Sequence, residues 1–382
     1  MVLLLITVFA CYCVILGILI LGWRRGIRND LILTSDKSAL FISVVVPARN
    51  EEASIGRLLV DLENQDHADF EVIVVNDHSE DKTLPIVKEA VARNPRLRII
   101  SNGGNGKKAA LTSGIEVSKG SIIVTTDADC SVSREWLSVL AHFFDDEEVK
   151  MAFGGVRMDA KSTFSNLQSL EFASLIGSGM SMASWSYPAM CNGANLAFRK
   201  SVYEEVGGYT DNLHIPSGDD EFLMRKIVAL YPMGVKPVFH RHSVVSTMPN
   251  STFKDFLQQR IRWAGKWAYN NSLRTKALAV FVFCFQLTTL LLPLFVAFAW
   301  IDIKTCIILV LSKASFEFLF LERVTKFLSL RWNWVSFAIL QVIYPVYVVF
   351  IGVLSNFKSF EWKGRKLKSL TISNKLNKEI LG

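Results

Sequence analysis

Hydrophobic positions follow three different rhythms along this chain. Residues 1–21 carry no charged side chain, and Trp23, Arg24, Arg25 and Arg28 come straight after them. A run of that length spans a bilayer. Its positive charges follow the apolar run, the reverse of a cleaved signal peptide. The order predicts an uncleaved anchor over residues 1–22, N-terminus outside and Arg24 onward in the cytoplasm. After a polar linker at 29–40 the rhythm changes to short, β-branched runs typical of buried parallel strands: 41–46, ended by Pro47, then 71–75, 97–100, 121–124 and 151–156. Between the first two, Ile55, Leu58, Leu59 and Leu62 recur at helical spacing, with Asn50 as the expected cap and Glu51 and Glu52 in the first turn. Ala109, Ala110 and Leu111 open another helix, and Trp136, Leu137, Phe143 and Phe144 mark a third. Alternating strands and helices predict an α/β domain over residues 41–250.

The third rhythm begins at 253–267, an amphipathic helix with Phe253, Phe256, Leu257, Arg260 and Trp263 near one face. Residues 251–270 are expected to lie in the membrane interface, residues 277–355 to form a C-terminal transmembrane region, and 356–382 a basic tail. Within that region 277–300 and 333–354 are clear spans, whereas 306–321 is interrupted by Lys313 and Glu317. Lys358, Lys363, Arg365, Lys366 and Lys368 favour a cytoplasmic tail, and Arg323, Lys326 and Arg331 favour a cytoplasmic loop. Three full C-terminal spans cannot satisfy both, which points to a re-entrant or interfacial middle stretch. The segment 164–185, rich in Ser, Gly, Met and aromatics, reads either as plain core or as a helix against the membrane.

Composition agrees with a folded domain joined to membrane segments: 382 residues, 51% hydrophobic and 20% charged. The net charge of +7 sits mostly beside apolar runs, which fits an anionic membrane surface better than nucleic acid. Cys11, Cys13, Cys284 and Cys306 lie in apolar runs and Cys130 and Cys191 stand alone, so neither a zinc site nor a disulfide framework is indicated.

The chemistry gathers at strand ends. Thr125-Thr126-Asp127-Ala128-Asp129 closes the 121–124 run, where open α/β sheets bind ligands. Asp127 and Asp129 face one side and are hard oxygen donors, suited to Mg²⁺ or Mn²⁺ bound with a diphosphate; a solvated turn is the bland alternative. Asp77, after 71–75, can accept from a nucleobase edge or cap a helix. Gly103, Gly104 and Gly106 precede Lys107 and Lys108, a loop open to close ligand approach but without P-loop spacing. Asp219, Asp220 and Glu221 open a helix, as acids do at N-termini, and His240 and His242 read best as structural histidines.

Four segments taken together resemble family 2 glycosyltransferases of GT-A fold: Val44-Val45-Val46-Pro47-Ala48-Arg49-Asn50-Glu51, Val74-Val75-Asn76-Asp77-His78-Ser79, Gly106-Lys107-Lys108-Ala109-Ala110-Leu111 and Thr126-Asp127-Ala128-Asp129. The resemblance implies a Rossmann-like GT-A domain and a nucleotide-sugar donor, a UDP-sugar foremost. Pro47, Ala48, Arg49, Glu51 and Lys107 would line the donor site, Asp77 would contact the base, Asp127 the ribose or metal, and Asp129 the metal, Mg²⁺ or Mn²⁺. The stretch Cys191-Asn192-Gly193-Ala194-Asn195 resembles the segment lining the sugar and acceptor site, which brings in Asn192. The family takes its catalytic base from the second acid of a pair, here Asp220, with Asp219 on the acceptor side where many members have Glu. Gln259-Arg260-Ile261-Arg262-Trp263 matches the Q-x-x-R-W motif of cellulose and hyaluronan synthases and ceramide glucosyltransferases. There Gln259 and Arg262 would hold the diphosphate and Trp263 would stack at the acceptor mouth, although a basic helix on lipid head groups has the same pattern. The implied protein is an integral, bacterial-type inner-membrane enzyme with a cytoplasmic catalytic domain. It would transfer sugar with inversion to a lipid or glycan acceptor, with membrane lipids as partners and no nucleic acid. A processive polysaccharide synthase and a non-catalytic nucleotide-binding scaffold are the alternatives.

Overall fold

A computed structural model describes residues 1–28, 39–213, 215, 217–265, 272–354, 360–362 and 365–367. The linker at 29–38, the link at 266–271 that includes Trp267, and most of the basic tail lie outside the described residues. The chain divides into two compact units.

The first unit comprises Leu19–Pro249 and Leu321–Trp332. Its framework is a seven-stranded sheet of β1 (Ile42–Ala48), β2 (Phe70–Asn76), β3 (Leu97–Ser101), β4 (Ile122–Thr125), β5 (Met151–Gly154), β7 (Leu196–Arg199) and β8 (Val235–Val238), in the order β3-β2-β1-β4-β7-β5-β8. The half from β3 to β4 is parallel, and its strands carry the continuous apolar runs expected of strands covered on both faces. β7 runs antiparallel to both β4 and β5. Helices α2 (Ile55–Glu63), α3 (Thr83–Arg93) and α4 (Lys107–Glu116) are the crossovers between the parallel strands. Ile55, Leu58, Leu59 and Leu62 of α2 are all buried, as their spacing predicts. The expected third helix is α5 (Trp136–Phe143), with Trp136, Leu137 and Phe143 buried.

Three local expectations are corrected. Pro47 does not end β1, which runs on to Ala48 with Pro47 opposite Val75. The alternation along β1 explains its tolerance. Ile42 N–H donates to Asp69 O, and Ala48 O accepts from Asp77 N–H, so even-numbered residues bond towards β2 and Pro47 faces β4. Pairing with β4 has already stopped at Val45 opposite Thr125, so the missing N–H leaves no gap in the ladder. Asn50 is not a helix cap. It adopts a positive φ of 52°, and its Oδ1 accepts the N–H of Glu80, while α2 starts later, at Ile55. Glu51 and Glu52 accordingly precede α2 rather than fill its first turn. The predicted strand 151–156 splits into β5 and β6 (Val156–Met158), and β6 pairs with β9 (Val245–Thr247) in a separate two-stranded sheet. Asn195 holds the break: its Nδ2 donates to the carbonyls of Gly155 (2.9 Å) and Ser243 (2.6 Å), and its Oδ1 accepts from Trp136 Nε1 (3.0 Å). A Cβ on Gly154 would stand 2.3 Å from that amide, so the close approach requires glycine.

Helix α1 (Val2–Arg28) continues past the expected anchor boundary, and from Leu19 onward it belongs to this unit. Trp23 is 1% exposed and packs edge-on against Phe239 (4.9 Å) and Phe327 (5.4 Å). Helix α6 (Thr163–Ser184) is capped by Ser162 and Ser165 in a reciprocal capping box, and most of its middle is buried, the plain-core alternative for this segment.

The second unit comprises Met1–Ile18, Asn250–Phe320 and residues from Asn333 on. It holds α9 (Phe253–Gly265), α10 (Leu273–Ala297), most of α11 (Ile303–Phe327) and α12 (Trp334–Leu354). Among the described residues three helices are long and apolar enough to cross a membrane, α1, α10 and α12. The stretch around Lys313 and Glu317 is one unbroken 25-residue helix, α11, rather than an interrupted one. Its charges turn inward: Lys313 Nζ meets Glu317 Oε2 (2.9 Å) and Gln341 Oε1 (2.9 Å), Gln341 Nε2 donates to Glu317 Oε2 (2.8 Å), and Tyr12 OH donates to Glu317 Oε1 (2.7 Å). A buried ion pair inside an apolar bundle persists only when its remaining polar atoms are satisfied in this way. Phe256 and Ile261 of α9 pack against Tyr347 and Ile351 of α12. Phe360–Trp362 and Arg365–Leu367 form an antiparallel hairpin inside the expected basic tail.

Candidate active site

The C-terminal edge of the parallel strands brings four segments of the first unit together: the D-x-D after β4, the start of α4, the 191–195 loop before β7, and the start of α8 (Asp219–Leu230). Lys107, the first residue of α4, is the hub. Its Nζ lies 2.6 Å from Asp127 Oδ1 and 3.3 Å from Asp219 Oδ2. Burial works against its charge, yet Asp127 and Asp219, with Asp220 behind them, hold its pKa well above that of an ordinary lysine. Burial likewise opposes the charge of Asp219, but Lys107 prevails and keeps this carboxyl below the usual range. The neighbouring Lys108 also acts on Asp219, and its ammonium lies 4.9 Å above the Phe222 ring.

Asp220 points elsewhere than Asp219. Its Oδ2 accepts the N–H of Gly193 (3.0 Å) and its Oδ1 the N–H of Glu221 (2.7 Å). Thr125, buried at the end of β4, donates to Gly193 O (2.8 Å). Gly193 therefore stands between the D-x-D strand and both acids of α8. A Cβ there would lie 3.0 Å from Asp219 Oδ2 and 3.4 Å from Lys107 Nζ. Sequence reasoning does not single out Gly193 and Thr125 as site residues; the Asn-Gly dipeptide at 192–193 is the signal that marks the close approach. Asn192 itself uses Oδ1 to accept the N–H of Ala194 (2.9 Å), shaping the turn.

Asp77 is 2% exposed and accepts from Asn102 Nδ2 (2.7 Å) and from Gly106 N–H (3.1 Å to each oxygen). It pins the glycine loop to the end of β2. Arg49 also turns inward: its NH1 donates to the carbonyls of Asp77 and His78 (2.9 Å each), and its NH2 pairs with Glu80 (3.3 Å). Glu51 accepts from Ser54 Oγ through Oε2 (3.1 Å), and its N–H donates to Thr83 Oγ1 (2.7 Å). Arg49 and Glu51 thus brace the loops that follow β1 and β2, while Pro47 and Ala48 form the end of β1 beside them.

His242 Nδ1 pairs with Glu135 (3.0 Å), and its N–H is accepted by His240 Nδ1 (3.3 Å), contacts of structural histidines. Among the described residues no group of three or more His, Cys, Asp or Glu side chains converges to hold a metal unaided. Asp127 and Asp129 still fit Mg²⁺ or Mn²⁺, because such ions take one or two carboxylates and draw the rest of their shell from phosphate and water.

Gln259, Arg262 and Trp263 lie on α9, in the other unit. There Gln259 Oε1 accepts from Asn250 Nδ2 (2.9 Å), and Arg260, itself buried, lies 4.3 Å over the Trp263 ring and 4.7 Å over Phe256. A guanidinium does meet the motif's tryptophan, that of Arg260.

The family model described as "Glycosyl transferase family 2" matches residues 43–207, from β1 through the D-x-D acids to the turn after α7 (Lys200–Glu205). This domain is a family 2 glycosyltransferase. The "Probable glycosyltransferase YdaM" of Bacillus subtilis is 30% identical over 235 residues, 58% of this chain and 54% of that protein. The chain thus matches just over half the length of that relative. The beta-monoglucosyldiacylglycerol synthase of Trichormus variabilis is 32% identical over 114 residues, 28% of this chain and 24% of that protein. Among solved structures, the mannosyltransferase PcManGT of Pyrobaculum calidifontis, in complex with GDP-Man and Mn²⁺, superposes with a TM-score of 0.53 at 18% identity, covering 92% of this chain and 99% of that one. That likeness concerns the fold, and the glycosyltransferase domain has the GT-A architecture.

Proposed function

We propose that this protein is an inverting glycosyltransferase. It moves a sugar from a nucleoside-diphosphate sugar, a UDP-sugar foremost, to a lipid or membrane-associated acceptor at the cytoplasmic face of the membrane. The observation that carries this reading is the joining, through Lys107 and Gly193, of a diphosphate pole at Asp127 and a base pole at Asp220. Asp129 and Asp127 would hold Mg²⁺ or Mn²⁺, which supplies charge neutralisation on the departing diphosphate. Asp220 takes the proton of the acceptor hydroxyl, whose oxygen forms a bond to the anomeric carbon as the carbon–oxygen bond to the diphosphate breaks. One displacement inverts that carbon. Asp219 is the poorer base, because Lys107 holds it charged. Asp77 accepts from the nucleobase edge while it anchors the glycine loop.

The apolar helices support a membrane-resident acceptor, and so does the lipid named in the beta-monoglucosyldiacylglycerol synthase relative. The test is incubation of membranes containing the protein with a panel of nucleotide sugars and extracted lipid, read by mass spectrometry. A single sugar on a lipid is expected. A long polymer would favour the processive synthase instead, and absence of any donor cleavage would leave only a binding scaffold.

The same reading puts the catalytic domain in the cytoplasm, because Arg24, Arg25 and Arg28 follow the first apolar run. Glu89 is well exposed on α3, its side chain 72% accessible. A cysteine at Glu89, in a background without the native cysteines, is expected to resist an impermeant maleimide in intact cells and to react in inverted vesicles. Labelling in intact cells would reverse the orientation.

A further inference from the structure

We infer that Lys107 is the resting counter-cation of the D-x-D acid, so that a divalent ion binds this site tightly only together with the diphosphate that takes over the ammonium. The inference rests on the glycosyltransferase reading and adds to it an order of loading. Three carboxylates, Asp127, Asp219 and Asp220, act on one ammonium. The bond to Asp127 Oδ1 is the shorter, at 2.6 Å against 3.3 Å for Asp219. Asp127 is also the acid that the metal requires. A divalent ion arriving alone must displace a charge-assisted hydrogen bond and then sit beside a like charge that Asp219 keeps close by.

A diphosphate changes both conditions. It brings negative charge and several acceptor oxygens, so the ammonium can leave Asp127 for phosphate while it stays in reach of Asp219. Lys107, not Lys108, makes the ion pairs with Asp127 and Asp219, and the Lys108 ammonium lies over the Phe222 ring. Gly193 keeps the space open, because a side chain there would begin 3.4 Å from Lys107 Nζ. Asp219 thereby remains neutralised in both states, and metal and lysine exchange one carboxylate between them.

The test uses the purified full-length protein in detergent, with Mn²⁺ binding followed by electron paramagnetic resonance, alone and with uridine or guanosine diphosphate. Wild type is expected to bind Mn²⁺ weakly alone and at least ~10-fold more tightly with nucleotide. Lys107→Met keeps the length and removes the charge. It is expected to bind Mn²⁺ alone ~10-fold more tightly than wild type and to lose most of the nucleotide effect. Lys107→Arg should restore the wild-type pattern, and Asp127→Asn should abolish the added Mn²⁺ site of Lys107→Met. If Lys107→Met binds Mn²⁺ alone no more tightly than wild type, the counter-cation role is wrong. Should that variant fail to fold, the wild-type arm still decides, since equal Mn²⁺ affinity with and without nucleotide overturns the coupling. A wild type that binds neither nucleotide in the presence of Mn²⁺ would instead sink the glycosyltransferase reading itself.

Discussion

Asp220→Asn is expected to lower sugar transfer by roughly 10²–10⁴, the usual contribution of a positioned general base. The change keeps the shape of the side chain and an acceptor oxygen for the Gly193 N–H, but an amide cannot take the acceptor's proton. Donor affinity should hardly move, because Asp220 contacts the 191–195 loop and its own helix start rather than the D-x-D. Asp219→Asn is expected to be milder in transfer and to loosen Lys107, whose second ion pair it removes. Calorimetric donor binding measured beside transfer rate separates the two roles. A wild-type rate for Asp220→Asn, or a dead Asp219→Asn with intact donor binding, would move the base to the other acid.

Chelation is the second large effect. Transfer should vanish when divalent ions are removed and return on adding Mg²⁺ or Mn²⁺, because the leaving diphosphate otherwise carries its charge unneutralised. Asp129→Ala should cost several kcal/mol of transition-state stabilisation, a loss of roughly 10²–10⁴ at about 1.4 kcal/mol per tenfold. Lys107 does not replace the ion in this role, since one ammonium that stays in reach of Asp219 offers the diphosphate less charge than a divalent ion. Full transfer by Asp129→Ala in excess chelator would remove the metal from the mechanism.

The parallel half of the sheet was legible because β1, β2 and β4 are buried on both faces and so write themselves as unbroken apolar runs. The other half was not. Leu196–Arg199 is four residues long, and nothing in so short a run shows that it enters antiparallel between β4 and β5. Asp77, Asp127, Asp219 and Asp220 stood out as acids at element ends. Their partners did not, because Asn102, Gly106 and Gly193 reach them across 25 to 29 residues of sequence, through the stacking of neighbouring strand ends. Arg49 illustrates the limit. The resemblance puts it at the donor site, but nothing in its position announces that its guanidinium also holds the carbonyls of Asp77 and His78. In the second unit Lys313 and Glu317 make α11 look interrupted, because the groups that satisfy them, Gln341 and Tyr12, sit on other helices.

The end of α1 and the segment Leu321–Trp332 belong to the unit that holds the sheet and its acids, and this makes that unit hard to trim free of its flanking helices. A gene trimmed to residues 41–249 would keep every acid of the site. It would lose Trp23 and Phe327 from around Phe239, and Leu328 from beside Gly155, together with the Leu328 carbonyl that Arg157 NH1 contacts. Uncovering large apolar side chains costs ~1.5–3 kcal/mol each, against a total domain stability of ~5–15 kcal/mol. The trimmed body would expose an apolar, aromatic patch and lose a large part of its stability. Under the proposed function, anchoring and folding thus become one selection pressure: the polypeptide that would bring the domain to a membrane also completes the core on which its strands rest.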